Sequence, residues 1–172
     1  MDGSSPRRHT RDERGAAAVE FAMILPFLCF LLFAIISYGY MLSFRQALSQ
    51  AAAEGARAAA GAPPSLPNTP PTAGDDSRQT RAIDAVNQGL GSYGVTCVTS
   101  GTGTPVLMHG SQQAGTCAVS TPQPCVGSSS SATCVKVTLS YTYEDDSLLP
   151  KFPGLGVLLP DQMTYSTEAE VS

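Results

Sequence analysis

The longest hydrophobic stretch of this 172-residue chain lies near the N-terminus, from Ala16 to Ser43. Within it, residues Phe21 to Leu42 include no charged side chain. An apolar helix of about 20 residues, rising about 1.5 Å per residue, crosses a hydrocarbon core of about 30 Å. The other apolar runs, such as Leu155 to Leu159, are too short to cross. The sequence therefore predicts one transmembrane helix, over residues 15–43.

A cleaved secretory signal is the alternative interpretation of this stretch. Such a signal has an apolar core of about 7–15 residues, followed by a cleavage site of small residues. The run in this chain is about twice that length, although the alanines between Ala51 and Ala60 superficially resemble such sites. The length favours a membrane anchor over a secretory signal.

A helix is also expected beyond the membrane. Residues Phe44 to Ala60 are rich in alanine, the strongest helix former. We therefore predict that residues 44–61 form a helical stalk that projects from the membrane. Gly61 and the prolines after it make further helix costly, so residues 62–77 are expected to be a proline-rich linker.

The C-terminal part, residues 78–172, has the periodicity of a small domain. Apolar residues at helical spacing predict a helix from about Arg78 to Leu90, with Asp76 or Ser77 as its N-cap. Alternating apolar and polar residues then predict three strands, Val95–Thr99, Cys134–Tyr143 and Gln162–Val171.

The connections between these strands are long. Residues 100–131 are rich in Gly, Ser and Thr and are expected to be loop with room for one or two short strands, and residues 148–160 are expected to be a long connection. The predicted fold class is α+β: a long N-terminal transmembrane helix that extends into a stalk, followed by a small extracytoplasmic domain of one helix on an antiparallel sheet.

Charge is distributed unevenly around the apolar run. The net charge is −4, and there is no basic patch of the kind that nucleic acid requires. Positively charged residues favour the cytoplasmic side of a membrane. Residues 1–14 are therefore predicted to be a disordered cytoplasmic leader, and the C-terminal domain is predicted to be extracytoplasmic in a single-pass protein of the cell membrane. The arginines that decide this are Arg7, Arg8, Arg11 and Arg14 before the run, against Arg45 and Arg57 after it.

Cysteine positions agree with this topology. Cys29 lies in the apolar run, whereas the other four lie on the predicted outer side, where disulfides persist. A metal site is the alternative, but no two of the four form a Cys-x-x-Cys pair and His109 stands alone. We predict two disulfides, and the preferred pairing is Cys97 with Cys134 and Cys117 with Cys125.

Glu20 is the one acidic residue of the apolar stretch. A carboxylate at the bilayer centre costs about 2.5–3.5 kcal/mol, and less near the edge. One interpretation is that Glu20, one turn past Ala16, extends to the cytoplasmic interface and has no other role. The other is a motif: Gly15 after a charged leader, four small or apolar residues beginning with Ala16, then Glu20 and an aromatic, Phe21. This pattern resembles a type IV prepilin-like cleavage site.

The similarity extends along the whole helix, which resembles the TadE-like pseudopilin family of tight-adherence (Flp) pilus systems. It covers residues 13–60 and, more weakly, residues 132–172. The features that carry it are Glu20-Phe21, Pro26 inside the helix, Gly39 near its outer end and Glu54-Gly-Ala-Arg57.

This resemblance implies a minor pilin-like subunit that acts in pilus assembly, together with other pilin-like subunits and the assembly machinery. It also implies that a membrane prepilin peptidase cuts after Gly15. Glu20, the fifth residue of the mature chain, would then pair with the freed α-amino group, also between neighbouring subunits, which compensates a buried charge.

No arrangement of catalytic residues is recognisable in the sequence. His9 and His109 are the only histidines, and no glycine motif of a phosphate-binding loop is present. The acidic Glu144-Asp145-Asp146 is better explained as a solvated turn than as a cation site. We therefore expect no enzymatic activity, no cofactor, no metal and no small-molecule substrate.

Two functions remain to be distinguished. The first is the pseudopilin-like assembly subunit. The second is an extracytoplasmic binding or adhesion module that the helix anchors permanently in the membrane. A passive anchor has no use for Glu20, so that residue favours the first.

Overall fold

The structure, a computed structural model of the whole chain, describes residues 9–63, 77–99, 104–127, 132–143 and 160–171. The chain divides into two units, Met1–Met41 and Leu42–Ser172. The boundary between the units falls within the first helix, α1 (His9–Ala60).

The first unit consists of the part of α1 that ends at Met41. The helix passes Pro26 without a break, as the predicted transmembrane helix requires. It begins at His9, so the predicted leader, which we expected to be disordered, is helical over residues 9–14. These six residues include neither glycine nor proline, so no residue type there stops a helix. The rest of the leader, residues 1–8, lies outside the described residues.

The second unit adds a helix, a 3-10 turn and the strands of a sheet to the end of α1. The helix α2 spans Ser77–Leu90, and the turn Gly91–Tyr93 follows it directly. The strands in the described residues are β1 (Val95–Val98), β2 (Val106–His109), β3 (Gln112–Val119), β4 (Gln123–Pro124), β5 (Thr133–Thr142) and β6 (Gln162–Val171).

All of these strands join one antiparallel sheet around β5. The order is β1-β2-β3-β5-β4, and β6 pairs with β5 outside this path. Both β3 and β4 pair with parts of β5, whereas β6 pairs along its full length, from Thr133↔Val171 to Thr142↔Gln162. The predicted fold class, α+β with a helix and an antiparallel sheet, is confirmed.

From the sequence, residues 100–131 were expected to be mostly loop, and no positions were predicted for strands there. The structure places β2, β3 and β4 in this stretch. Glycine, glutamine, serine and threonine give this stretch little hydrophobic alternation, so the period of two is weak there. Gly115 in β3 shows why a glycine is needed in a strand here, because a Cβ at this position would collide with the backbone carbonyl of Ser140 on β5. The predicted connection at residues 148–159, the acidic residues 144–146 and most of the predicted linker, residues 64–76, lie outside the described residues.

The segment predicted as a stalk, residues 44–61, differs from that prediction because it contributes to the core of the second unit. Its buried side chains recur at helical spacing and include Phe44, Leu48, Ala51, Ala52, Ala56 and Ala59. This segment packs on α2, where Gly55 approaches Val86 and Ala51 approaches Gly89. The buried residues of α2 are Arg78, Ala82, Val86 and Leu90. A stalk was expected because alanine favours a helix whether the helix is exposed or buried. In this segment the small size of alanine allows close packing.

Two glycines mark the closest approaches in this core. A Cβ at Gly55 of α1 would lie 2.9 Å from Cγ2 of Val86 and 3.5 Å from Cγ1 of Val137, which is on β5. A Cβ at Gly89 of α2 would lie 3.0 Å from Cβ of Ala51. Both helices and the sheet therefore meet at Gly55, where no larger side chain fits without movement.

Polar contacts fix α2 against the first strand. The Asn87 side chain accepts a hydrogen bond from the Cys97 N–H at 2.6 Å and donates one to the Cys97 carbonyl at 3.1 Å. Since both backbone groups of a strand residue are satisfied by one amide side chain, the register between α2 and β1 is fixed at this point.

Two disulfides form among the four predicted cysteines, but the preferred pairing of Cys97 with Cys134 and Cys117 with Cys125 was wrong. Cys97 bonds to Cys117 with 6.1 Å between Cα atoms, and Cys125 bonds to Cys134 with 5.0 Å between Cα atoms. Cys117 lies opposite Leu139 on β5, five residues from Cys134. Five residues of strand measure about 17 Å, beyond the reach of a disulfide, so a bond from Cys97 reaches only one of these two cysteines.

Candidate functional site

From Val19 to Tyr38, α1 presents large apolar side chains outward on all sides. Their exposed fractions run from 41% at Leu25 to 77% at Phe27. An 18-residue window reaches a mean hydropathy of 2.6, and none of it is buried. A helix that is apolar all round is stable where lipid or another protein covers it. By length and composition α1 is a candidate membrane span, compatible with a single-pass membrane protein.

The predicted processing motif lies at the start of this span. Gly15, Ala16, Glu20 and Phe21 are all helical and exposed. Ala16 and Glu20, four residues apart, lie on the same face of the helix, with about 5–6 Å expected between their Cβ atoms. Gly15 lies about 140° around the helix from Glu20 at about 100° per residue. The four residues are therefore a linear motif rather than a pocket.

Glu20 has no partner within the described part of the chain. Its side chain is exposed, and none of the hydrogen bonds or ion pairs among the described residues involves it. In water this is unremarkable, but in a hydrocarbon environment a carboxylate without a partner is costly. The span therefore includes one acidic group that no other described residue compensates.

The glycines of α1 fall into two classes. At Gly15 and Gly39 an added Cβ would have nothing within 4 Å, whereas at Gly55 it would meet three atoms of α2 and β5. A glycine inside a helix costs roughly 0.5–1 kcal/mol relative to alanine. Packing explains that cost at Gly55, whereas no contact among the described residues explains it at Gly15 or Gly39.

The second unit offers little catalytic chemistry among its described residues. No group of three or more His, Cys, Asp or Glu side chains that would hold a metal ion occurs there. A groove of 360 Å³ between α1 and α2 includes one carboxylate, Glu54, which pairs with Arg57 at 2.7 Å. The remaining lining residues of this groove are Ala47, Gln50, Ala51, Ala85, Gln88 and Gly89.

Sequence reasoning missed one group of contacts, at the start of the second unit. Ser43 shares a 2.6 Å hydrogen bond with the Tyr93 hydroxyl, and Arg45 Nε donates to the Tyr165 hydroxyl at 2.9 Å. The available signal was the position of Ser43 and Arg45 directly after an apolar run, since arginine and tyrosine are typical of membrane interfaces.

Comparison with known families assigns the helix. Residues 15–57 match the sequence profile of a family described as TadE-like protein. This segment is TadE-like. Neither a curated protein nor a solved structure matches the chain.

The TadE-like segment begins at Gly15, includes the whole apolar span and ends at Arg57 in the packed end of α1. It contains all four residues of the predicted processing motif, and α2 and the sheet lie outside it. TadE-like proteins are a pilin-like structural family rather than a family of enzymes. Together with the candidate span, the match supports a membrane protein associated with the Tad pilus and with pilus assembly components.

Proposed function

We propose that this protein is a TadE-like minor pilin, or pseudopilin, that acts in the assembly of a tight-adherence (Flp) pilus. The observation that carries the proposal is Glu20, an acidic residue in an exposed apolar helix that has no partner among the residues the structure describes. An anchor needs only apolar length, which the chain already has after Phe21. A carboxylate one turn into the span lowers the stability of a passive anchor and has a use only if something pairs with it.

The partner for Glu20 is the α-amino group of a neighbouring processed subunit. Cleavage after Gly15 would make Ala16 the first residue and give it a positive charge. Between adjacent helices, that amine and a Glu20 carboxylate would form an ion pair, which is favourable in an apolar setting because each charge compensates the other. The same pair cannot form before cleavage, so processing and assembly are coupled in this proposal.

Gly15 is the proposed cleavage position for a prepilin peptidase. Since α1 begins at His9, the Gly15–Ala16 bond lies within the helix and must unwind before a protease can bind it in extended form. Glycine lowers the cost of unwinding by roughly 0.5–1 kcal/mol relative to alanine. No packing contact opposes the change, because nothing lies within 4 Å of a Cβ at this position.

The proposed orientation places the leader in the cytoplasm and the second unit outside. Four arginines precede the span, and cytoplasmic segments carry an excess of positive charge. Two disulfides lie in the second unit, and disulfides persist outside the reducing cytoplasm. The arginines before the span and the disulfides after it therefore both support an extracytoplasmic second unit.

N-terminal sequencing of the membrane-extracted protein tests processing. In cells that hold the cognate peptidase, we expect a mature chain that begins at Ala16. The Gly15→Ala variant should accumulate more unprocessed chain. Gly39→Ala is the matched control, because it makes the same change in the same helix at another glycine without neighbours, and it should be processed normally. An intact leader in the native protein would contradict cleavage.

Co-purification with other pilus subunits tests assembly. We expect Glu20→Gln, which removes the charge and keeps the shape, to recover less of the other subunits from membranes. Glu54→Gln, in the same helix but outside the span, is the control and should recover the native amount. Unchanged recovery for Glu20→Gln, together with an intact leader, would favour the permanently anchored binding or adhesion module.

A further inference from the structure

The second unit begins directly after the apolar span. Leu42 is the last residue of the apolar run, and Ser43, Phe44 and Arg45 follow it on α1. If Phe21 to Leu42 occupies the hydrocarbon core, any part of the second unit that contacts residues 43–45 must lie at the level of the membrane surface. Three elements of the unit do so.

The first of these elements is the 3-10 turn after α2. Ser77, at the start of α2, donates a hydrogen bond to the Pro63 carbonyl at 2.8 Å, and Gly89 near its end packs on Ala51. The helix therefore runs antiparallel to residues 51–63 of α1, and its C-terminal end approaches the start of the second unit. Just past that end, Tyr93 shares its 2.6 Å hydrogen bond with Ser43.

The sheet reaches the same level through β5 and β6. Val137 of β5 faces Gly55, and four residues later the Tyr141 ring packs on Phe44 with 4.8 Å between centroids. The C-terminal end of β5 thus points toward the span. β6 begins there too, because the Tyr143 N–H donates to the Asp161 carbonyl at 2.9 Å and Arg45 bonds to Tyr165.

The heights of these contacts above the hydrocarbon core are small. The three residues from Leu42 to Arg45 rise about 4–5 Å along a helix. The headgroup layer on each side of a bilayer is about 5–7 Å thick, from total and core thicknesses of about 40–45 Å and about 30 Å. The hydroxyl groups that bond to Ser43 and Arg45 therefore fall within the headgroup layer.

We infer that the end of the second unit formed by Ser43, Arg45, Tyr93 and Tyr165 is a membrane-contact surface embedded among the phospholipid headgroups of the outer leaflet. The inference rests on the proposed membrane location and is independent of the role in pilus assembly. This membrane-contact surface places the second unit directly on the bilayer while the span is inserted.

The chemistry of the membrane-contact surface suits headgroups. Tyrosine has an apolar ring and a polar hydroxyl, and it is enriched where hydrocarbon meets water. Arginine presents several N–H donors in a planar array that matches phosphate oxygens. The rings of Tyr93, Tyr141 and Tyr143 pack around Phe44, so the surface is backed by a buried aromatic cluster.

Depth-dependent fluorescence quenching tests the inference. A fluorophore is attached to Ser92→Cys, beside Tyr93, in a Cys29→Ala background of the full chain reconstituted in phosphatidylcholine vesicles. Thr80→Cys is the control. Thr80 is also an exposed hydroxyl residue, but it lies on α2, about 15 Å before the C-terminal end of that helix. A nitroxide on the lipid headgroup should quench the Ser92 probe several-fold more than the Thr80 probe.

A second experiment tests the arginine. Adding anionic phosphatidylglycerol to the vesicles should increase quenching at Ser92 in the native background. The increase should be lost with Arg45→Gln and kept with Arg57→Gln, an exposed arginine about 18 Å further along α1.

The outcomes separate the inference from the proposed function. Vesicle flotation first shows whether the protein is inserted. Equal quenching of the two probes in floated protein overturns the membrane-contact surface and leaves pilus assembly untouched. A protein that does not float contradicts the membrane location and the inference with it. Loss of co-purification or processing has no bearing on the quenching result.

Discussion

The two parts of α1 are both helical, but the side chains of one are exposed and many side chains of the other are buried. In the span, phenylalanine, leucine and isoleucine side chains are exposed all round, with Phe27 at 77% exposure. In the packed part, from Phe44 to Ala60, the buried residues are mostly alanines, and several have no exposed surface. The most hydrophobic segment of the chain is therefore exposed, and the core contributed by α1 is built mostly from small side chains.

This difference shows that hydrophobicity and burial within the protein are separate properties. The span gains stability by transfer into lipid, which needs large apolar area and no complementary surface. The packed part gains it from close contact, for which a small side chain such as that of Ala51 or the bare Cα of Gly55 lets two helices and a sheet approach. A comparison of matched substitutions in the two parts tests this distinction.

Truncation of a phenylalanine should give the largest difference in the free energy of unfolding between the two parts of α1. Phe44→Ala removes a ring with no exposed surface from the aromatic cluster, so we expect a loss of about 3–5 kcal/mol in the free energy of unfolding of the second unit. Phe27→Ala, the same change in the span, should leave that free energy unchanged. The measurement is urea unfolding in detergent, followed by the near-ultraviolet circular dichroism of the buried tyrosines. Equal losses in the two variants would contradict the contrast.

Addition of a methyl group at a glycine should give an intermediate effect. At Gly55 a Cβ meets Val86 at 2.9 Å and the Ala82 carbonyl at 3.3 Å, so we expect Gly55→Ala to lower the free energy of unfolding by about 1–3 kcal/mol. Gly39→Ala meets nothing and should not destabilise the unit. The same unfolding assay compares the two, and a Gly55→Ala variant as stable as the native protein would show that α1 and α2 can separate without cost.

Removal of the exposed ion pair on α1 should give the smallest effect. Glu54 and Arg57 are bonded at 2.7 Å, but their side chains are 62% and 69% exposed. Solvent and salt screen such pairs, so Arg57→Ala should change the free energy of unfolding by less than about 0.5 kcal/mol. Unfolding curves at low and high salt measure it. A loss as large as that of Gly55→Ala would mean that contacts other than small-residue packing hold this part of α1 in place.

Much of the fold was predictable because its elements have strong local patterns. α2 and β6 were expected within one residue of their observed bounds, and β5 within one residue at each end. Their apolar spacing is regular, and one face is buried in α2 and β5 and half-buried in β6. The packing role of residues 44–60 was not predictable, since alanine is as compatible with a solvated helix as with a close helix contact.

The disulfide pairing could not be derived from the sequence because it depends on strand register. Cys117 lies in β3, whose glutamines and glycine give no clear alternation of apolar and polar residues. The register of β3 on β5 decides which cysteines approach each other. The predicted processing motif is a short linear pattern, so its residues could be named from the sequence alone, and cleavage there stays a prediction. Arg45 and Tyr165 are far apart in sequence, so the position of Arg45 directly after the apolar run indicates an interfacial residue but not its partner.

The position of Phe44 has a mechanical consequence. Only Ser43 separates it from Leu42 along the chain, so the last apolar residue of the run and a fully buried residue of the second unit are almost adjacent in sequence. Traction on the helix, as when a subunit is drawn out of a bilayer, is applied first to the aromatic rings around Phe44 and then to Leu48. The part of the second unit that receives such a load is therefore fully buried, at Phe44 and at Leu48, so we expect the unit to be extracted whole before it is pulled apart.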